Sequence, residues 1–383
     1  MKIVFITFHN WITKRQGGFH KLAEAASKAG HEVIFFSAQR PYFICLKHEE
    51  RLNPKVLSSL RKGIKYDVDE GKSLINCTWP TLRIPQPLYS LLPAKVNNWF
   101  STHSFIPFKS FCKKFLAGSE IFVFESCDGL DLYDKIKQYF PLAKVIYRPS
   151  DPLMVGNVPK EIMELEMHVL KSADINLIVN KAGVELYRNK IPQFDEVVKY
   201  RVLPNGVSVN DYRFRYDCPE ILKLPNTFLY VGARIPEWKL IIKAAQTRTN
   251  YNFVIVCPEY PTVDLERFAL PNLFYIPGIS PKDVPGWITN CDVVIVPNPK
   301  NIYKQKPWGI TAKYYQAMTA KKPIVAYEDT SELLEYNVHV AYNDNEFIEM
   351  LDKAIIQGET DYSYKLHTWE KIGEDFMDII NSI

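Results

Sequence analysis

The stretch Val145-Ile-Tyr-Arg-Pro-Ser-Asp151 sets a carboxylate directly behind a short apolar run. Val145, Ile146 and Tyr147 read as the end of a buried strand, and Pro149 stops the ladder because it has no N–H to donate. Ser150 and Asp151 then stand at the strand's carboxyl end, the edge where open α/β sheets bind ligands. Asp151 is a candidate general base there. It could equally cap the helix expected behind it, since Asp is a favoured N-cap residue. Glu125, behind the apolar run Glu120 to Phe124, offers a second strand-end carboxylate with the same two readings. The other stretch with chemistry in it is Lys304-Gln-Lys-Pro-Trp-Gly-Ile-Thr-Ala-Lys-Tyr-Tyr-Gln316. Gly309 would let a loop approach a ligand, Thr311 would cap a helix, and Lys313 and Gln316 would share a face near its amino end. A helix start with a lysine beside it suits a diphosphate, and Lys304 and Lys306 add charge. A solvated basic loop would read the same way.

Positioning these groups requires parallel strands, which appear as short, nearly continuous apolar runs. Ile3 to Phe8 is the first, followed by a loop with Gly17-Gly18 and a helix over Phe19 to Ala29. Glu32 to Ser37, Glu120 to Phe124, Lys144 to Tyr147 and Asp174 to Val179 continue the series, with helices over Asp128 to Tyr139, Pro159 to Ser172 and Lys181 to Arg188. The turn Leu203-Pro-Asn-Gly-Val207 follows, and the pattern restarts at Thr227 to Val231, with a tight loop Gly232-Ala-Arg234 behind it. Strands are expected again at Asn252 to Cys257, Leu273 to Ile276, Asp292 to Val296 and Ile324 to Tyr327. The alternation predicts α/β architecture with two doubly wound, Rossmann-like domains. Their expected bounds are 1–205 and 206–363, with a closing helix over 364–383. The nicotinamide-type fingerprint of three spaced glycines is absent after the first strand, which disfavours a dehydrogenase.

The totals exclude several classes. Of 383 residues, 47 are Lys or Arg and 43 Asp or Glu, so no large nucleic-acid footprint is indicated. The seven cysteines are scattered, odd in number and free of Cys-x-x-Cys pairs, which favours free thiols over disulfides or zinc. No run approaches the roughly 20 apolar residues of a membrane-spanning helix, and the first apolar run is too short for a secretion signal. A cytoplasmic protein is expected. Between Tyr42 and Leu116 the alternation becomes irregular, rich in Pro, aromatics and lysines. Within it, Phe105 to Leu116 has two readings: an interfacial helix on anionic lipid, or an amphipathic helix packed on the sheet. Asp67-Val-Asp69 has an Asp-x-Asp form but falls in a charged stretch expected to be a solvated loop.

Taken in order, these features resemble the GT-B glycosyltransferases: two α/β halves, the Gly17-Gly18 loop, Leu203-Pro-Asn-Gly-Val207, Gly232-x-Arg234 and a terminal helix returning to the first domain. Tyr147-Arg-Pro-Ser-Asp151 and the Thr311-Ala-Lys-Tyr-Tyr-Gln316 helix resemble the GumK-type, membrane-associated glucuronosyltransferases. The resemblance implies a cleft between the domains, Asp151 as catalytic base, and donor contacts from Lys313 and Gln316. It further implies a UDP-sugar donor, with Gly232, Arg234, Lys306 and Thr311 on the donor side. A glycan or lipid-linked glycan acceptor would enter beside Gly17 and Gly18, with inverting transfer and neither metal nor cofactor. The sequence departs from the family at Ile279, where an acidic donor-side residue is expected, and it lacks the paired-glutamate motif of many retaining GT-B enzymes. A sugar-nucleotide epimerase and a non-catalytic glycan-binding protein of the same fold are the alternatives.

Overall fold

The computed structural model describes residues 1–13, 16–42, 62–84, 88, 91–155, 158–300, 309–362 and 367–383. The chain divides into two units: Met1–Pro204 with Ile372–Ile383, and Asn205–Lys371.

The first unit is built on strands β1 (Lys2–Thr7), β2 (Glu32–Pro41), β3 (Ile64–Asp69), β4 (Lys72–Thr81), β5 (Ile121–Glu125), β6 (Lys144–Arg148), β7 (Ile175–Ile178) and β8 (Tyr200–Val202). Their order is β3-β4-β2-β1-β5-β6-β7-β8. All neighbours pair in parallel except β3 with β4. The chain winds from β1 outward to β2 and then returns to β5 on β1's other side. The strand order therefore reverses between β1 and β5, and an open sheet of this kind presents its ligand crevice at such a point. Strands buried on both faces explain the continuous apolar runs: Ile3 to Ile6 and Phe122 to Phe124 are all fully buried.

The helix Gly18–Lys28 packs Phe19 edge-on against Phe5, their ring centroids 5.4 Å apart, and Phe376 of the closing helix Trp369–Ser382 meets the same Phe5 at 6.0 Å. Burying each such ring contributes roughly 1.5–3 kcal/mol. A Cβ at Gly373 would lie 2.9 Å from the Ala25 methyl, so the last helix can lie this close only through a glycine.

Two expectations for the irregular stretch are corrected, and a choice between two readings is decided. It contains a long strand, β4, paired in parallel with β2. Asp67 and Asp69 lie on its antiparallel neighbour β3, an edge strand whose alternate side chains, both aspartates among them, are exposed. The Asp-x-Asp is thus in a strand and not a loop, though solvated as expected. In the Phe105 to Leu116 segment, Phe108, Phe111, Cys112, Phe115 and Leu116 enter the core while Lys109, Lys113 and Lys114 face out. Only Phe105, 79% exposed, remains for a lipid surface.

The second unit is a six-stranded, all-parallel sheet: β9 (Thr227–Val231), β10 (Asn252–Val256), β11 (Leu273–Ile276), β12 (Val293–Pro297), β13 (Ile324–Tyr327) and β14 (His339–Ala341). They are ordered β11-β10-β9-β12-β13-β14, so the reversal falls between β9 and β12. Its two faces bury separate apolar clusters. No helix among the described residues is long and apolar enough to cross a membrane.

Candidate functional site

Glu125 ends β5 at the reversal point of the first sheet and is buried. The Thr7 hydroxyl, at the end of β1, donates to its Oε2 and accepts the His9 N–H at 3.1 Å. The Ser150 hydroxyl donates to its Oε1 at 2.7 Å. Arg148, at the end of β6, is fully buried. Burial drives its guanidinium down to about 10, opposed by the charge of Glu125. Burial likewise raises the Glu125 carboxyl, opposed by the Thr7 and Ser150 hydrogen bonds and by Arg148. Glu125 and Arg148 thus offset each other electrostatically at the carboxyl edge of the sheet.

Asp151 lies just above this pair. Its N–H donates to the Ser126 hydroxyl at 3.3 Å, and its exposed carboxylate accepts no hydrogen bond among the described residues. It caps no helix, because the next one runs Lys160–Ser172 with Pro159 at the N-cap position. Leu153 and Met154, next along the loop, donate their N–H groups to Glu166 at 3.0 and 2.8 Å.

Gly17 occupies the N-cap position of Gly18–Lys28 at φ −91°, and an added Cβ would meet nothing within 4 Å. The protein's own packing therefore does not require glycine at Gly17, and the backbone there is approachable.

In the second unit the chemistry also collects at the carboxyl edge. Asn298, just beyond β12, donates through Nδ2 to the Asp329 carboxylate at 2.6 Å. Tyr314 donates its phenol to the same oxygen, and the Thr330 N–H donates to the other at 2.7 Å. Burial raises the Asp329 carboxyl, opposed by these bonds and by Lys313. Lys313, on the helix Ala312–Thr319, sets its ammonium over the Tyr230 ring, 5.2 Å from the centroid. Burial lowers its pKa to about 8, Asp329 raising it and Arg234 lowering it further. Tyr230 donates its hydroxyl to the Arg234 carbonyl at 2.9 Å. A Cβ on Gly232 would stand 2.3 Å from that hydroxyl, so glycine at Gly232 is what lets the Tyr230 ring lie under the loop and beneath Lys313.

Of the residues expected on the donor side, Gly232, Arg234 and Lys313 fall in this cluster. Gln316 lies one turn further along the Lys313 face and is half-buried. Thr311 holds the N-cap position but makes no capping bond, which corrects that expectation; its buried Oγ1 has no partner among the described residues. Lys304 and Lys306 lie outside the described residues. Ile279 packs against the apolar cluster of its face. Sequence reasoning missed Asp329, Asn298 and Tyr314. Asp329 bears the same signal that marked Asp151, a carboxylate just behind an apolar strand.

Solved structures covering the whole chain share this fold. Sucrose-phosphate synthase from Thermosynechococcus elongatus superimposes with a TM-score of 0.67 at 15% identity, covering 100% of this chain and 98% of that one. Anabaena HepE in complex with UDP-glucose superimposes at 0.59 and 13% identity, covering 100% of both. The E. coli trehalose-6-phosphate protein bound with UDP-2-fluoro glucose gives 0.61 at 12%, covering 100% and 96%. By fold the chain resembles the GT-B glycosyltransferases, whose two-domain α/β architecture it shares.

More narrowly, residues 5–179 match the family described as glucuronosyltransferase GumK, N-terminal domain. The putative teichuronic acid biosynthesis glycosyltransferase TuaH of Bacillus subtilis (strain 168) is 24% identical over 202 residues, 48% of this chain. The match spans about half the length of that relative, 50%.

Proposed function

We propose that this protein transfers a sugar from a UDP-sugar to a hydroxyl of a glycan or lipid-linked glycan, with inversion and with Asp151 as general base. The observation that carries the reading is Lys313, a half-buried cation only partly offset by Asp329 at the carboxyl edge of the second sheet. A cation there matches a diphosphate, and the UDP-glucose complex of HepE supports a UDP donor. Lys313, Gln316, Thr311 and the Gly232 to Arg234 loop hold the donor in this reading, with Lys306 adding charge. The acceptor enters beside Gly17 and Gly18, along the approachable backbone at Gly17. Asp151 takes the acceptor proton as its oxygen bonds the anomeric carbon and the bond to UDP breaks, the departing electron pair being stabilised by Lys313 and helix amides. One displacement inverts the centre. No step needs a metal or a cofactor. The descriptions of GumK and TuaH both name uronic acids, which supports a uronic acid as the sugar transferred.

Thermal unfolding with UDP, ADP, GDP and their glucose and glucuronic acid conjugates tests the donor assignment. A ligand at a hundredfold excess over its Kd stabilises the folded state by about 2.7 kcal/mol. The expected result is a shift with uridine nucleotides only, at least halved in Lys313→Ala at the same ligand concentration. A shift with no nucleotide in well-folded protein overturns the reading.

We propose in addition that peripheral membrane contact is made by residues 91–105 and not by the core-facing segment behind them. The helix Ala94–Thr102 buries Asn97 and Ser101 while exposing Val96 and, at 48%, Trp99. Leu91, at 75%, and Phe105 flank it, and Lys95 is exposed beside them. Apolar residues turned outward with a lysine among them suit an anionic lipid interface. Wild type is expected to float with vesicles containing phosphatidylglycerol, and a Trp99→Ser, Phe105→Ser double variant to remain soluble. Identical flotation of the two would remove the assignment.

A further inference from the structure

The loop from Arg148 to Met154 is held at both ends by carboxylates that the proposed reaction does not use. At the near end Glu125 accepts the Ser150 hydroxyl at 2.7 Å. At the far end Glu166, fully buried on the helix Lys160–Ser172, accepts two successive loop amides, Leu153 at 3.0 Å and Met154 at 2.8 Å. Tyr147 and Tyr187 hold Glu166 itself, each donating its hydroxyl to Oε1 at 2.7 Å. Between the two grips the Asp151 N–H rests on Ser126, and its carboxylate alone is left unengaged among the described residues. A buried carboxylate that takes successive backbone amides from a loop fixes that loop's path, because leaving any of these groups unpaired is unfavourable.

We propose that Glu125 and Glu166 are positioning residues that clamp the loop on either side of Asp151, so that the carboxylate meets the acceptor hydroxyl already ordered. The proposal rests on Asp151 being the base. Orientation is worth large rate factors in bond-forming steps, and a displacement of about 1 Å can cost about a hundredfold. Glutamine at position 166 cannot reproduce the clamp. With its oxygen in place of Oε1, its amide would turn an N–H toward the Met154 N–H.

The test compares Glu166→Gln, Ser150→Ala and Tyr187→Phe with Asp151→Asn, assaying UDP release from UDP-glucuronic acid and UDP-glucose in parallel, with water as the acceptor. Ser150→Ala releases the near grip while leaving Arg148 and the Thr7 bond to Glu125 in place, so it keeps the test alive if Glu166→Gln fails to fold. Tyr187→Phe is the structural control, since it weakens the Glu166 network and leaves the bonds to the loop in place. The clamp predicts a fall in kcat of about tenfold for Ser150→Ala and about a hundredfold for Glu166→Gln, each with donor KM within twofold. Tyr187→Phe is expected to lower Tm and keep kcat within twofold. Amide exchange at Leu153 and Met154, read without substrate, is expected to quicken in Glu166→Gln, and that at positions 150 and 151 in Ser150→Ala. Clamp variants with kcat within twofold of wild type, alongside an inactive Asp151→Asn, would overturn the clamp alone. Unchanged exchange in both variants would overturn it whatever the turnover. Normal turnover by Asp151→Asn would instead remove the base assignment beneath it.

Discussion

Asp151→Asn is expected to lower kcat by about 10²- to 10⁴-fold, the span over which a positioned general base contributes. The expectation follows from what surrounds the carboxylate. Glu125, its neighbour at the same sheet edge, is buried and already accepts two hydroxyl hydrogen bonds beside Arg148. It has no free path to an incoming alcohol. Asp151 is exposed and accepts nothing among the described residues, so its oxygens are available to a proton. A carboxylate is strong enough for the task, because the attacking oxygen becomes acidic only as it bonds the anomeric carbon. Asparagine keeps the size and the Ser126 contact to the main-chain N–H while removing the basic oxygen, so stability should change by less than about 0.5 kcal/mol, as for other surface changes. The measurement is initial rate against donor and acceptor concentration, with UDP-induced stabilisation recorded on the same protein. Lost turnover with retained UDP binding is the expected pattern. Retained turnover would transfer the role of base to another group.

The parallel strands were legible because a strand buried on both faces must be apolar throughout, and Ile3 to Phe8 or Asp292 to Val296 can hardly read otherwise. The same rule concealed β4. Its run Lys72–Thr81 carries Asn76 and Pro80, residues that suggest a broken strand. Asn76 is nonetheless buried, because it donates to the Phe35 carbonyl and the Ser37 hydroxyl and accepts the Trp11 N–H, satisfying groups around the loop after β1. No local pattern announces partners that lie so far away in sequence. The Phe105 to Leu116 stretch stayed open between two readings for a different reason, since an amphipathic pattern says that one face is apolar and not whether protein or lipid covers it. At the candidate sites, strand-end position alone pointed to Asp151 and Glu125, while a glycine-bearing loop and a helix start with a lysine beside it pointed to Lys313. What sequence could not show is the division of labour between carboxylates. Asp151, Glu125, Glu166 and Asp329 are one residue type or its homologue, separated only by burial and by which donors reach them.

Donor affinity is expected to fall about tenfold between pH 7 and pH 9 and to lose that dependence in Lys313→Ala. Lys313 has its pKa lowered from 10.5 to about 8. Burial dominates the shift; Asp329 opposes it, Arg234 adds to it, and the Tyr230 ring lies beneath the ammonium. Below pH 8 the free protein thus offers a cation that is poorly solvated and only partly neutralised, which a diphosphate would complete. Above pH 8 the lysine is increasingly neutral, and binding an anion must first draw a proton from solution. Proton uptake on UDP binding should therefore rise from near zero at pH 7 toward one at pH 9, readable by titration calorimetry in buffers of different ionisation enthalpy. The sign for the unliganded protein is opposite. A depressed lysine pKa means that the unfolded chain binds the proton more tightly, so this residue's unfavourable contribution is relieved as pH rises from about 8 to 10.5. Wild type should gain stability relative to Lys313→Ala across that window while losing UDP affinity. At pH 7, removing the charged hydrogen bonds of Lys313 to phosphate is expected to weaken binding by about 10- to 100-fold. Equal pH profiles for wild type and variant would mean that Lys313 does not meet the diphosphate.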